Sequence, residues 1–125
     1  MNLLLDTHVL LWWLDDNPNL SQSARTVIAD GNNLVFVSAA VIWEIQIKQA
    51  LGKLKIPVNF RKVMDQQGFE LLDITVEHAY AVGKLPPYHI DPFDRILVAQ
   101  AKVEKMTLVS HDNHIKKYKV PLINA

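Results

Sequence analysis

Residues 1–13, MNLLLDTHVLLWW, run three leucines straight into Asp6 and then resume apolar sequence almost at once. A short apolar run that stops at a polar pair suits a buried strand. The following HVLLWWLDD has helical spacing and ends in NPN at 17–19, a breaker. Asp6 therefore falls at a strand-to-helix junction. A charge at the edge of so much apolar sequence is costly unless something pairs with it. Taken alone, Asp6 is equally well explained as the N-cap of the helix.

The same alternation repeats outward from this stretch. SQSARTVIADG (21–31) reads as a helix opened by Ser21 or Ser23 and closed at Gly31. LVFVS (34–38) is a second buried strand, and AAVIWEIQIKQALGK (39–53) a helix stopped by Gly52. A helix capped by Asn59 and ended at Gly68 leads to ELLDI (70–74), a strand, and to TVEHAYAVGKL (75–85), a helix with Thr75 as N-cap. PPYHIDPFD (86–94) is a rigid loop. It overlaps the start of DPFDRILVAQAKVEK (91–105), a helix with Asp91 as N-cap and Pro92 at its first position. MTLVS (106–110) is a strand, HDNHIKKY (111–118) a short helix, and VPLINA (120–125) a last strand. Strands alternating with helices, and apolar on both faces, predict an α/β domain with a mostly parallel sheet covered on both sides. No linker or repeat divides residues 1–125, so one domain is expected.

Composition narrows the class further. Half the chain is hydrophobic and 21% is charged, a globular composition with a formal net charge of zero. A nucleic-acid partner would have to be met by a local patch, for which Lys48, Lys53 and Lys55, or Lys116, Lys117 and Lys119, are candidates. The absence of cysteine excludes disulfides and thiolate metal sites and is compatible with the cytoplasm. Apolar runs are too short for a membrane span, and no basic segment precedes the opening leucines as in a secretory signal. The four glycines form no phosphate-binding loop. His111 and His114 lack the pattern of a zinc motif.

In parallel sheets the functional cleft lies outside the carboxyl ends of the strands. Four acids fall there. Asp6 ends the first strand and Asp112 follows the fourth, again as a plausible helix cap. Glu44 lies within two turns of the second strand's end, on a face shared with Ala40, Val41, Ile47 and Leu51, where its bland reading is an i,i+4 pair with Lys48. Asp94 falls at the third helical position after Asp91 and shares its side with Leu97, Val98 and Ala101. Only Arg95 and Lys48 are near enough in sequence to offset them. Several carboxylates sharing a cleft repel unless a hard dication sits between them, and oxygen-only ligands favour Mg²⁺ or Mn²⁺.

LLLDTH, SAAVIWEI, HIDPFDRILVAQA and TLVSHD together resemble the motifs of PIN-domain ribonucleases, and most closely those of the VapC-type toxins of bacterial VapBC toxin–antitoxin pairs. The resemblance implies an α/β/α sandwich with about five parallel strands and Mg²⁺- or Mn²⁺-dependent cleavage of RNA to 5′-phosphate and 3′-hydroxyl ends. It also implies a homodimer and neutralisation by a cognate antitoxin. Carried over by position, Asp6, Glu44, Asp94 and Asp112 fall on the family's acidic quartet. In that frame Asp6 and Asp94 are direct ligands, Glu44 orients or deprotonates water, and Asp112 completes a weaker second site. Asp91 is a helix cap first and a supporting acid second; Thr7 and Ser110 are supporting polar residues. Arg95 and Lys48 are candidate RNA contacts. Adjacent Trp12 and Trp13 cannot both face inward fully, which leaves one for a partner interface, whereas Trp43 is expected in the core.

Two other readings compete. A phospho-receiver module also gathers acids at strand ends, but it needs a lysine after a late strand, where this chain has His111 and Asp112. A catalytically silent PIN-like binding subunit keeps fold and partner without the activity.

Overall fold

The computed structural model describes all residues 1–125. Five strands, β1 (Asn2–Leu5), β2 (Leu34–Ser38), β3 (Glu70–Leu72), β4 (Thr107–Ser110) and β5 (Leu122–Asn124), form one sheet in the order β3-β2-β1-β4-β5, every neighbouring pair parallel. Six helices flank it: α1 (Thr7–Leu14), α2 (Gln22–Ala29), α3 (Ala39–Ala50), α4 (Phe60–Asp65), α5 (Val76–Val82) and α6 (Pro92–Glu104). The α/β fold and the five parallel strands match the expectation from sequence.

The opening leucines explain why. β1 is the central strand, paired with β2 on one side and β4 on the other, and Leu3, Leu4 and Leu5 are fully buried. A strand covered on both faces has no solvent side, so alternation disappears. The chain builds outward from β1 through β2 to β3, then crosses back to β4 and β5. The order thus reverses between β1 and β4, which makes their carboxyl ends the switch point where a crevice opens. The Asp6 N–H donates to the Val109 carbonyl at 3.1 Å, so the β1–β4 pairing reaches that junction.

Several local expectations are corrected. β3 is an edge strand with Leu71 exposed, so the sheet is not covered along its whole width. Residues 111–118 form only a single 3₁₀ turn, Ile115–Lys117, rather than a helix. Asn59 precedes α4 but its side chain caps nothing, and α2 ends at Ala29 with Asp30 as its C-cap, before Gly31 is reached. Gly52 and Gly68 do take the left-handed conformation that ends their helices, at φ of 72° and 73°. Trp43, expected in the core, is 59% exposed and heads a stripe with Ile47 and Leu51 along the outer side of α3. The apolar face around Glu44 therefore faces inward only at Ala40 and Val41.

Arg95, an expected RNA contact, is turned into the protein. Its guanidinium donates to the carbonyls of Val82, Pro86 and His89 and to the Tyr118 hydroxyl, at 3.1–3.2 Å. One planar fork thereby ties the end of α5 and the loop before α6 to the C-terminal segment. The physical reason lies in the loop, whose carbonyls have no ladder or helix to satisfy them. A lysine keeps the charge but cannot serve so many acceptors at once. Arg95→Lys is expected to destabilise the protein by about 1–3 kcal/mol, read as a lower urea midpoint with an unchanged slope.

Candidate metal and active site

The crevice at the switch point is a cavity of about 510 Å³ lined by twelve residues, none hydrophobic. Five are carboxylates: Asp6, Glu44, Asp91, Asp94 and Asp112. All four acids singled out from the sequence face it, and Asp91 joins them.

Each acid is placed by the element it begins or ends. Asp6 is the N-cap of α1, its Oδ1 accepting from the Val9 N–H at 2.8 Å. Asp91 caps α6, its Oδ1 accepting from the amides of Phe93 and Asp94. Glu44 lies on α3 and is buried, with Thr7 donating its hydroxyl to Oε1 at 2.5 Å and Lys48 pairing with Oε2 at 2.8 Å. The Glu44–Lys48 pair read from sequence as a surface alternative therefore exists, but inside the crevice. Asp112 caps no α-helix; its Oδ1 accepts from the His114 N–H at 2.8 Å. Ser110, fully buried, accepts the Asp112 N–H at 3.0 Å and so shapes the turn that presents that acid.

Bringing these groups together has an electrostatic cost. Burial pushes the Asp6 carboxyl up, against the nearby Ser110 hydroxyl and the Val9 N–H that lower it. Asp94 is pushed up to about 7, first by burial and then by the charge of Asp91, with Asp112 and Asp6 adding to it and only His89 opposing. Asp112 moves the other way: burial raises it, but the hydrogen bonds from the His114 backbone and from His89 outweigh that and leave it low. Lys48 is held above its usual range, chiefly by its bond to Glu44.

The histidines were missed. His8, His89, His111 and His114 all line the cavity, and His89 Nε2 lies 2.9 Å from Asp94 Oδ2 and 3.0 Å from Asp112 Oδ2. A signal did exist in sequence: each of these histidines stands within two residues of Asp6, Asp91 or Asp112. The two adjacent tryptophans are both half-buried. Trp13 donates to Gln67 at 3.1 Å and lies beside Phe69. Trp12 packs edge-on against His111, ring centres 4.9 Å apart, and lines a second groove of about 480 Å³ with Leu11, Leu14, Leu54, Ile56 and Phe60.

A PIN domain family model matches residues 3–121. Ribonuclease VapC22 of Mycobacterium tuberculosis is 29% identical over 123 residues, spanning 95% of this chain and 93% of that protein. Two solved structures share the fold. VapBC2 from Rickettsia felis, bound to a DNA fragment from its promoter, has a TM-score of 0.76 at 20% identity and covers 100% of this chain and 99% of its own. The DNA-bound VapBC of Salmonella typhimurium has a TM-score of 0.75 at 13% identity, with 99% and 98% covered. With the family model spanning nearly the whole chain and the acids gathered at its switch point, the protein belongs to the PIN-domain family and is VapC-like within it.

Proposed function

We propose that this protein is a metal-dependent endoribonuclease and the toxin of a toxin–antitoxin pair. The observation that carries the proposal is the crevice itself, with five carboxylates lining it and Lys48 as the single fixed cation. Burial and the charge of Asp91 push Asp94 up to about 7, a perturbation of the kind that clusters at functional sites. The five carboxylates among its donors suit a hard dication, and Lys48 is the one lysine or arginine beside them.

Asp6 and Asp94 would hold the principal ion, with Asp112 completing the set. When bound, Mg²⁺ or Mn²⁺ supplies Lewis acidity toward a phosphoryl oxygen and makes nearby water easier to deprotonate. The protein's own groups do the positioning. Glu44, gripped by Thr7 and Lys48 on its two oxygens, orients the attacking water from one wall. Lys48 offers the positive charge that an anionic backbone needs beside so many acids. The water oxygen bonds to phosphorus, the bond from phosphorus to the 3′ oxygen breaks, and that oxygen leaves as a hydroxyl. Arg95, committed to the loop, takes no part in binding RNA.

For the antitoxin we assign the groove beside α1, where Trp12 contributes an exposed aromatic edge among aliphatic side chains. The Rickettsia felis relative was solved as a VapBC complex, which supports such a partner. The apolar stripe Trp43, Ile47 and Leu51 is the surface we assign to self-association.

Incubated with structured RNAs and Mg²⁺ or Mn²⁺, the protein should cut them to 5′-phosphate and 3′-hydroxyl ends, and chelation should abolish the cutting. Asp6→Asn and Asp94→Asn should each lower the rate by about 100-fold or more. Cleavage that persists in both variants would falsify the assignment and favour the silent binding subunit.

Stability gives a check that needs no RNA. Because Asp94 binds its proton more tightly folded than unfolded, its contribution to metal-free stability is fully present below about pH 4 and is lost as pH rises from there through about 7. Asp94→Asn should therefore raise the melting temperature in chelator at pH 8 by a few degrees, corresponding to about 1 kcal/mol or more. The gain over wild type should shrink toward pH 5, and added Mg²⁺ should stabilise the wild type but not the variant.

The two tryptophans should separate by role. Trp12→Ala is expected to weaken binding of the antitoxin encoded beside the gene by tenfold or more, an order of magnitude typical of an interface aromatic, with little change in melting temperature. Trp13→Ala should instead lower stability, since it breaks the bond to Gln67.

A further inference from the structure

His89 comes from no strand end, yet it stands between two of the four acids. It lies in the loop before α6, and its side chain is only 13% exposed. Two contacts fix where its proton sits. Nδ1 faces the backbone N–H of Asp91 at 3.2 Å, a group that can only donate, so Nδ1 accepts. The neutral ring then carries its hydrogen on Nε2, which donates to Asp112 Oδ2 at 3.0 Å, while Asp94 Oδ2 lies 2.9 Å from the same nitrogen without a hydrogen bond of its own. The tautomer required on one edge of the ring is the one required on the other.

We propose that His89 is the positioning residue of the metal site. Its Nε2–H bonds Asp112, beyond β4, while the same nitrogen lies against Asp94, on α6, and this bridge holds the two carboxylates at a fixed separation without ligating the ion itself. The inference rests on the reading of these acids as metal ligands. By distance alone His89 would pass for a ligand, since its nitrogen, an Asp112 oxygen and a His114 nitrogen lie within 4.8 Å of one another. The Asp91 amide argues against that. Ligation through Nε2 needs a bare lone pair there, which moves the ring hydrogen to Nδ1 and sets it against another N–H.

The bridge has work to do because nothing else joins these two acids. They sit on separate elements, each raises the energy of the other's charge, and the polar edge of an imidazole held between them, bonded to Asp112 and against Asp94, offsets the repulsion. Ligating carboxylates are commonly oriented by such outer hydrogen bonds. The parts are also local to one stretch, HIDPFD at 89–94. Asp91 caps α6 with its side chain and sets the His89 tautomer with its amide, and Asp94 follows one turn later.

Calorimetric titration with Mg²⁺ tests the bridge. His89→Ala should bind about 10–100-fold more weakly than wild type, the usual loss when a ligand's hydrogen-bond partner is removed. His89→Gln places an amide nitrogen near the Nε2 position and should recover affinity to within about threefold of wild type, whereas His89→Asn, whose amide falls nearer Nδ1, should stay weak. The wild-type protein supplies a measurement that no folding defect can obscure: long-range ¹H–¹⁵N correlation should place the His89 hydrogen on Nε2 both without and with Mg²⁺. Equal Mg²⁺ affinity in wild type and His89→Ala, or a hydrogen on Nδ1, overturns the inference and leaves the acid site standing. A wild type that binds neither Mg²⁺ nor Mn²⁺ removes the metal reading and this inference with it.

Discussion

Like charges held together at one sheet edge are the constraint around which this molecule is organised. Five carboxylates line a single crevice, and the repulsion among them is opposed by the rigidity of the elements that carry them. That rigidity comes from the centre of the sheet. Leu3, Leu4 and Leu5 are buried on both sides of β1, β1 is paired on both edges, and the reversal of strand order beside it opens the crevice at the place where the backbone is best held. Deforming the site to separate the charges would mean deforming the core.

The acids also share duties that lower the cost of keeping them. Asp6 and Asp91 each spend one oxygen on a helix cap, a favourable interaction of about 1 kcal/mol in its own right, and still line the cavity. Asp112 is held on both oxygens, Oδ1 by the His114 amide in a turn and Oδ2 by His89. The cap reading and the functional reading, which compete when each residue is considered singly, are therefore compatible in the folded chain. A strand-to-helix junction is both where a cap is needed and where a cleft opens.

This explains how much of the site could be read from the sequence. The acids were legible because their positions follow from element boundaries, and boundaries announce themselves: LLLD, VS before AAVIWE, DPFD, and LVSHD. What the sequence hid depends on packing between distant elements. His89 meets Asp112 across 23 positions, and no local pattern encodes that meeting. Arg95 illustrates the opposite error. Next to Asp94 it suggests a phosphate contact, but the carbonyls of the preceding loop claim it first. Trp43 was misplaced because aromatic character at helical spacing says which residues share a face and not whether that face is covered. Residues 111–118 failed as a helix because their short polar side chains bond the backbone locally.

The crevice is electrostatically lopsided, and the asymmetry matters for what it can hold. On the α3 wall Glu44 is satisfied on both oxygens by Thr7 and Lys48. On the α6 wall Asp94 faces Asp91, Asp112 and Asp6 with only an imidazole to help, and its carboxyl is pushed up to about 7. Had the fold needed only to tolerate its acids, a second lysine opposite Asp94 would serve as Lys48 serves opposite Glu44. Its absence leaves a gap of negative potential on one side of the cavity and a fixed cation on the other. On the proposed reading a dication takes the first and a phosphate the second, so that an RNA backbone laid across the crevice meets both at once.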